Sequence, residues 1–361
     1  MIKIADINYW NESSSDPNLL LESHKSSWWH YIYAKDKLDA IIIKHSDYEC
    51  EIEKDGLHFK FIKGTNRQLY FGLNTLKYLL KFKPHIIWIH CTRYVLPVIL
   101  LRFCFPNSKI VMQHHSELPL KGFKKIIQKF GFKKVQAFAF HHREQAKDFL
   151  DSNVIKSNKK IIQINEGVIS ETVTIPISWN KSEKINILWV GRLVEGKQPL
   201  LALQVILKLI IQNANCYFDI VYTDSTLFYL VEEELKKFPH LSPHINFIQN
   251  LSKQDLFIKY KQSDIIFSTS LYVSSSYEIN EALSFGCIPV ITNIVGHKGT
   301  VNNDIAYYFE TGNQKQAIEQ LQKAIIICKL IEEKQKCVNW FNKKLSAQAK
   351  TLQVCEALTN L

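Results

Sequence analysis

The chain has 361 residues, of which 46% are hydrophobic, and it carries a formal net charge of +11 at pH 7. Single hydrophobic cores stop growing near roughly 250–300 residues, so this length favours two domains. The basic excess belongs to the first half: residues 1–170 hold 26 Lys and Arg against 16 Asp and Glu, whereas residues 171–361 hold 19 against 18. We therefore expect an anionic partner for the first half, and a membrane surface or an anionic acceptor fits as well as nucleic acid.

None of the eight cysteines belongs to a C-x-x-C pair, and most lie in apolar runs. This pattern favours reduced core cysteines over a disulfide framework or a zinc site. No apolar h-region opens the chain, so we expect no signal peptide. The longest apolar runs, such as residues 95–101, are far shorter than the ~20 residues that a spanning helix needs. The expectation is a cytoplasmic protein, soluble or peripheral on the cytoplasmic face of a membrane.

The first half alternates continuous apolar runs with helical segments, which is typical of parallel sheets covered on both faces. A loop rich in Ser and Asn is predicted over residues 11–18 and a helix over 69–82, before Pro84. The predicted strands are residues 2–7, 38–44, 58–63, 85–90, 109–113, 135–140 and 160–164. Residues 1–170 are therefore expected to form a Rossmann-like α/β domain.

A second run of strands and helices follows residues 171–183, a predicted linker that contains Pro176 and ends in charged residues. The predicted strands are residues 185–190, 217–222, 245–248, 264–268, 288–292 and 305–309. The predicted helices are residues 199–212, 227–237, 253–262 and 314–328, and residues 331–358 look helical throughout. Residues 184–340 are expected to form a second Rossmann-like domain. Residues 341–361 are expected to form a C-terminal helix, with packing back on the first domain as one option.

A basic loop follows the first strand of the second domain. It contains Gly191, Arg192 and, five residues later, Lys197. Glycine allows close backbone approach, while Arg offers a planar fork and Lys a movable point charge to a diphosphate. The alternative is a helix-initiating loop with solvated basic residues.

Residues 263–292 combine a strand, a polar loop, a helix and a second strand, so the helix N-terminus should lie at the carboxyl edge of a sheet, where anions bind. Ser275 and Glu278 have the spacing of a capping box, which explains Glu278 without any ligand. Glu281 lies one turn into the helix, where a carboxylate can accept two ribose hydroxyls, or it is simply solvated. Gly286 is explained as a helix stop.

Paired histidines follow the strand at residues 109–113. A metal site is disfavoured because His114 and His115 diverge on any regular element and no carboxylate completes a ligand set. One of them could donate a hydrogen bond to a sugar; the alternative is a structural histidine.

Residues 121–134 form a basic amphipathic segment of the kind that lies in an anionic membrane interface. Its lysines alternate with Phe and Ile and stand at Lys121, Lys124, Lys125, Lys129, Lys133 and Lys134. The alternative is a surface helix packed on the domain by its apolar face, with solvated lysines.

Several motifs are absent from the sequence: a D-x-D pair, a G-x-x-x-x-G-K-[ST] phosphate loop, a G-x-G-x-x-G fingerprint and a G-x-S-x-G elbow. Kinase, dehydrogenase and α/β-hydrolase functions therefore have little support.

Taken in order, these features resemble the retaining family 4 glycosyltransferases. Residues 164–168 (INEGV) resemble the family's pNGvd segment, and residues 190–197 (VGRLVEGK) its vGRl…K motif. Residues 256–270 resemble l…y…aDvfv.pS, and residues 281–290 (EALSFGCIPV) resemble EAma.G.PVv. The resemblance spans about residues 85–345 and is strongest in the second half. It implies the GT-B fold, in which two Rossmann-like domains with mainly parallel sheets face each other across a cleft.

The resemblance also implies roles for individual residues. Gly191, Arg192 and Lys197 would hold the diphosphate of a nucleoside-diphosphate sugar without a metal, and Glu281 would hold its ribose. The implied catalytic residues are His115, or His114 in its place, and Glu278; Ser275 and Ser276 would lie against the sugar. No cofactor, metal or nucleic acid is implied. The acceptor, a glycan or lipid-linked molecule, would meet the first domain, beside the membrane-facing lysines.

The sequence departs from the family pattern at three places. The family usually carries two glutamates eight positions apart, and Val273 stands eight positions before Glu281. Its vG.G turn is replaced by residues 221–224 (VYTD), and its glycine-rich first loop by residues 11–16. We expect a retaining, metal-independent glycosyltransferase of surface polysaccharide or lipopolysaccharide synthesis. A non-catalytic GT-B binding subunit, which Val273 favours, and a nucleotide-sugar epimerase on the same fold are the alternatives.

Overall fold

The computed structural model describes residues 1–12, 16–23, 25–64, 72–115, 117–157, 159–165, 167–168, 183–213 and 215–361. The chain divides into two compact units. The first comprises Met1–Ile169 together with Ala347–Leu361, and the second comprises Ser170–Ser346. The predicted linker, apart from residue 183, lies outside the described residues, as does Glu166 of the INEGV segment.

The first unit is built on an eight-stranded sheet of order β3-β4-β2-β1-β5-β6-β7-β8. Its strands are β1 (Ile2–Glu12), β2 (Leu38–Ser46), β3 (Cys50–Lys54), β4 (Leu57–Lys63), β5 (Ile86–His90), β6 (Lys109–Gln113), β7 (Ala137–Phe140) and β8 (Lys160–Gln163). All neighbouring strands pair in parallel except β3 and β4, which form an antiparallel hairpin.

Helices cover both faces of this sheet, because successive side chains of a strand point to opposite faces. Ile4 belongs to one core cluster, and its neighbour Ala5 belongs to the other. The helices are α1 (Pro17–Ser23), α2 (Lys25–Trp28), α3 (Leu73–Phe82), α4 (Val95–Cys104), α5 (Gly122–Phe132), α6 (Lys147–Asp151) and, from the end of the chain, the helix Ala347–Thr359. Short 3-10 helices span Trp29–Ala34 and Arg143–Ala146.

The second unit has an all-parallel six-stranded sheet of order β11-β10-β9-β12-β13-β14. Its strands are β9 (Ile185–Gly191), β10 (Cys216–Tyr222), β11 (Ile245–Gln249), β12 (Ile265–Ser268), β13 (Ile288–Thr292) and β14 (Tyr307–Phe309). This is the strand order of the doubly wound Rossmann fold, 3-2-1-4-5-6.

The helices of the second unit are α7 (Pro199–Gln212), α8 (Phe228–Lys236), α9 (Lys253–Gln262), α10 (Tyr277–Ser284), α11 (Val295–Lys298), α12 (Gln314–Ile327) and α13 (Ile331–Lys344). Short 3-10 helices span Glu195–Lys197 and Pro239–His244. A fully buried carboxylate, Asp264, ties this layer to the sheet. It accepts hydrogen bonds from the backbone N–H of Asn186 at 3.0 Å and from the ammonium of Lys334, on α13, at 3.1 Å. This pairing satisfies a charge that would otherwise be costly inside the core.

The sequence predicted the alternation of strands and helices but missed a break near the end of the chain. Residues 331–358 are not one helix: α13 ends at Lys344, and α14 (Ala347–Thr359) begins three residues later. Leu345 and Ala347, on either side of this break, are both buried, and the two helices belong to different units. The hairpin of β3 and β4 was also missed in part, because the alternating residues of β3 are only partly buried.

No helix within the described parts of the chain is long and apolar enough to cross a membrane.

Candidate active site

The second sheet has a switch point between β9 and β12, since the strands that follow β9 lie on one side of it and those after β11 on the other. In open α/β sheets, ligands bind outside the carboxyl ends of the strands at such a point. Gly191 ends β9 and Ser268 ends β12. The predicted phosphate and sugar residues lie on the segments that follow these two strands.

The loop after β9 brings the predicted basic residues to this edge. Gly191 lies over the buried ring of Trp189, and a Cβ added at Gly191 would come within 3.0 Å of the indole. Arg192 is exposed, and no described acidic side chain lies within ion-pair distance of it. The turn ends at Gln198, whose left-handed φ of +47° carries the chain from Lys197 into α7.

Lys197 is paired with a carboxylate of the next segment. Its ammonium donates to Glu278 Oε1 at 2.8 Å, and the two side chains are only 18% and 15% exposed. Two predicted site residues that stand 81 positions apart are thus in direct contact. A diphosphate at this edge would meet Lys197 only by sharing it with Glu278.

Glu281 is almost fully buried and forms an ion pair with Lys253, at the start of α9. Burial raises the pKa of the Glu281 carboxyl, and the Lys253 ammonium opposes that shift. Tyr260 lies in the core beneath, where burial and then the charge of Glu281 raise the pKa of its phenol well above the ordinary value. The sequence did not indicate Lys253 as a partner, since it lies on a different helix.

The loop after β12 is fastened to the basic turn. Thr269 Oγ1 donates to the Lys197 carbonyl at 2.8 Å, and the Leu271 N–H donates to the Gly196 carbonyl at 2.9 Å. Further along, Val273 packs on Gly296 so closely that a Cβ added there would lie 2.0 Å from the Val273 carbonyl oxygen. The residue that departs from the family pattern therefore sits in a tightly packed part of the loop.

Three enclosed polar atoms here have no hydrogen-bond partner among the described residues: Ser276 Oγ, Gln198 Oε1 and His297 Nε2. The His297 Nδ1–H donates to the Thr292 carbonyl at 2.8 Å, and burial lowers the pKa of this imidazole to about 4. His297 is therefore neutral at pH 7, with Nε2 as its acceptor. Buried polar atoms normally have partners, so these three atoms are candidates to contact a polar ligand.

The predicted capping box at Ser275 is wrong. Helix α10 begins at Tyr277, its N-cap is Ser276, and the cap makes no side-chain hydrogen bond. The Glu278 carboxylate instead forms an ion pair with Lys197. Ser275 is half-buried and lies outside the helix. The helix stop is confirmed: Gly286 has φ +79° just after α10 ends at Ser284.

In the first unit, the two histidines after β6 have different surroundings. His114 is buried against the ring of Phe140, and its Nε2 lies 3.0 Å from the Glu117 carbonyl. Burial lowers the pKa of His114. His115 is exposed, and its Nε2 lies 2.9 Å from Nδ1 of His90, at the end of β5. His115 is thus the more accessible of the pair.

Helix α5 presents an exposed apolar stripe between its lysines. Phe123, Ile126 and Phe130 are 74%, 63% and 52% exposed. The face that packs on the domain includes Phe132 and Gly131, where an added Cβ would meet Val95 of α4 at 2.3 Å. The helix packs on its domain through this other face, so the stripe stays exposed. Of the lysines near it, Lys124, Lys133 and Lys134 are exposed, and Lys125 and Lys129 are half-buried.

Within the described residues, no three His, Cys, Asp or Glu side chains are grouped so as to hold a metal ion.

Comparison with known proteins gives a partial family match and a likeness of fold. Residues 173–339 match the family model described as "Glycosyl transferases group 1". No curated protein matches the chain.

Solved structures of the same fold cover nearly the whole chain. A glycosyltransferase from Rickettsia africae ESF-5 is 16% identical, with a TM-score of 0.75 over 99% of this chain and 98% of that one. The apo form of the lipopolysaccharide outer core galactosyltransferase WaaB is 14% identical, with a TM-score of 0.74 over 99% of each chain. Sucrose-phosphate synthase from Thermosynechococcus elongatus is 12% identical, with a TM-score of 0.70 over 100% and 99%. The chain has the GT-B fold, with two Rossmann-like units.

Proposed function

We propose that the protein is a glycosyltransferase that moves a sugar from a nucleoside-diphosphate sugar to a glycan or lipid-linked acceptor. The observation that carries this proposal is the cluster of Arg192, Lys197, Glu278 and Glu281 at the switch point of the domain that matches glycosyl transferases group 1. Basic and acidic side chains at this edge suit the two ends of one ligand, a diphosphate and a polyhydroxylated sugar.

The diphosphate would be held by two cations of different character. Arg192 is exposed and offers a planar fork, while Lys197 is mostly enclosed and offers a point charge. When the bond between the sugar and the diphosphate breaks, both would stabilise the charge that develops on the leaving group. We propose that this pair performs the role without a metal ion.

The ribose and sugar would lie on the α10 side of the site. The Glu281 carboxylate is held by Lys253 and can accept ribose hydroxyls, and Glu278 lies between the phosphate and the sugar positions. Ser275, Ser276 and the His297 acceptor atom would contact the sugar. In the first unit, exposed His115 is the proposed catalytic contact. We further propose retention of the anomeric configuration. We also propose a role in surface polysaccharide or lipopolysaccharide synthesis, in line with the name of WaaB, a lipopolysaccharide outer core galactosyltransferase of the same fold.

Calorimetric titration with a panel of nucleoside diphosphates tests the proposal. One of them should bind, and Arg192→Ala should weaken that binding by about 1.5–3 kcal/mol, the scale of a charge-assisted hydrogen bond. Arg143→Ala, in the first unit, removes an arginine that is also exposed and lies far from the site in sequence, and it is the matched control. Absence of binding to every member of the panel would contradict the proposed function.

A non-catalytic GT-B subunit is the second candidate, because Val273 occupies the position where the family usually has a glutamate. Such a protein would still bind a nucleoside diphosphate. It would neither transfer nor hydrolyse any donor of a nucleotide-sugar panel, whereas the proposed enzyme should release free nucleoside diphosphate from one of them.

We also propose that α5 docks on an anionic membrane. The stripe formed by Phe123, Ile126 and Phe130 would enter the interface, and the lysines near it would face acidic headgroups. Each basic residue near such a surface contributes about 1 kcal/mol. The acceptor, if lipid-linked, would be presented on the same unit.

Co-sedimentation with phosphatidylglycerol vesicles tests the docking. Neutralising five lysines of this region should abolish it: Lys124, Lys125, Lys129, Lys133 and Lys134. The matched control neutralises five exposed lysines of the second unit: Lys315, Lys323, Lys336, Lys343 and Lys344. An equal loss of vesicle binding in both variants would show that the effect depends on net charge alone, and it would contradict a docking face.

A further inference from the structure

A chain of hydrogen bonds connects the core of the first unit to exposed His115. The hydroxyl of Tyr31 donates to Asp6 Oδ2 at 2.7 Å, and Asp6 Oδ1 lies 2.8 Å from His90 Nε2. His90 Nδ1 lies 2.9 Å from His115 Nε2. Tyr31 and Asp6 are buried, and His90 is mostly enclosed. Strands β1 and β5, which carry Asp6 and His90, are neighbours at the switch point of the first sheet.

The protonation state of Asp6 determines which ring nitrogens of His90 and His115 carry protons. Burial alone would raise the pKa of Asp6, but the charge and hydrogen bond of His90 and the hydrogen bond of Tyr31 lower it to about 2. An ionised carboxylate only accepts, so Nε2 of His90 carries a proton; with His90 as the neutral imidazole, its Nδ1 is then an acceptor. The Nε2 of His115 must then be the donor to His90. This leaves Nδ1 as the acceptor atom of the His115 ring.

Hydrogen bonds also fix the backbone around His115. The buried carboxylate of Glu117 accepts hydrogen bonds from the His115 N–H at 3.0 Å and from the Thr92 hydroxyl at 3.0 Å. Cys91, which follows His90, has a left-handed φ of +75°, an unfavourable conformation for a residue with a side chain. Strain of this kind persists where the surrounding structure fixes it, and it is concentrated at functional sites.

We propose that Asp6, acting through His90, is a positioning residue that holds His115 as the Nε2–H tautomer, so that Nδ1 accepts a hydrogen bond from a substrate hydroxyl. The contact with a hydroxyl rests on the proposed glycosyl transfer, whereas the tautomer does not. On other folds, a buried carboxylate that is hydrogen-bonded to an imidazole likewise fixes the tautomer of the catalytic histidine.

Asp6→Asn is the variant that separates this role from a merely structural one. Asparagine has nearly the same shape, and Tyr31 is buried, so its hydroxyl proton must keep an oxygen acceptor. The asparagine oxygen therefore stays on Tyr31, and the amide NH₂ turns to His90. His90 must then accept on Nε2 and donate from Nδ1, which moves the proton of His115 to its Nδ1. Tyr31→Phe keeps the carboxylate and is the control.

Nitrogen-15 NMR of histidine-labelled protein at neutral pH reads the tautomer directly, with the His115 signals identified by their loss in His115→Gln. We expect protonated Nε2 in the wild type and in Tyr31→Phe, and protonated Nδ1 in Asp6→Asn. A wild-type His115 protonated on Nδ1, or an Asp6→Asn variant with the wild-type tautomer, would overturn the proposal. The wild-type and Tyr31→Phe spectra decide the assignment even if Asp6→Asn does not fold.

Kinetics then tests the contact with substrate. In Asp6→Asn, kcat for sugar transfer should fall on the order of 10²–10⁴-fold, as when the wrong tautomer is imposed on a catalytic histidine. The Kd for nucleoside diphosphate should not change, because its proposed site lies in the second unit. Full activity in a variant with the switched tautomer would overturn the role toward a hydroxyl. If no donor is turned over by the wild type, the proposed function fails while the tautomer result stands independently.

Discussion

Lys197→Ala tests the predicted phosphate site most directly. The substitution deletes one charge-assisted hydrogen bond to a diphosphate, about 1.5–3 kcal/mol. It also removes the cation partner of the Glu278 carboxylate, which is 15% exposed and lies 2.8 Å from the Lys197 ammonium in the wild type. At a separation of about 8 Å and an effective dielectric of about 40, that carboxylate would repel a phosphate charge by on the order of 1 kcal/mol. The sum, about 2.5–4 kcal/mol, predicts a Kd roughly 70- to 900-fold higher.

The assay is calorimetric titration with the nucleoside diphosphate that binds best, at one fixed salt concentration. Glu278→Gln should tighten this binding by about fivefold, since it removes a competing negative charge of on the order of 1 kcal/mol. Combining it with Lys197→Ala should recover a similar factor. A Lys197→Ala protein within threefold of wild-type affinity, or weaker diphosphate binding by Glu278→Gln, would refute the reasoning.

Three further outcomes are expected. Gly296→Ala should displace Val273, lower stability by about 1–3 kcal/mol as overpacking does, and weaken donor binding; unchanged melting and binding would contradict the close packing. Stability should fall as pH drops from 6.5 towards 4, because burial lowers the pKa of His45 and of His297 to about 4 and the unfolded chain alone takes up these protons. Each such histidine contributes up to about 1.4 kcal/mol per pH unit, measurable as denaturant midpoints at pH 7 and 5, and equal midpoints would disprove it. Chelator should leave sugar transfer intact, and activity lost to chelator and restored by Mg²⁺ would show that a metal takes part.

The second unit was the more predictable half because its signals are local. Gly191, Arg192 and Lys197 lie within seven consecutive residues, directly after a continuous apolar strand, so their place at a sheet edge follows from the strand alone. Gly286 likewise needed only the end of one helix to be understood. Local pattern was sufficient wherever one strand and the following loop hold the whole feature.

Contacts between distant segments could not be predicted in the same way. Asp6 and His90 are 84 positions apart, and they meet because β5 joins the sheet beside β1. Glu281 contacts Lys253 because α9 and α10 lie next to each other. Glu278 forms an ion pair with Lys197 instead of the predicted capping box with Ser275. These pairs depend on strand order and helix packing, neither of which the spacing of residues along the chain determines.

The helix α14 also has a consequence for how the protein is made. Its residues Val354, Ala357 and Leu358 complete a core cluster whose other members include Ile4 and Trp28. The whole second unit is therefore an insertion in the sequence of the first. During translation the second unit can fold as soon as it leaves the ribosome, whereas the first must wait, with an apolar face uncovered, until residues 347–361 have been synthesised. This waiting interval is where chaperones would be expected to act on the nascent chain.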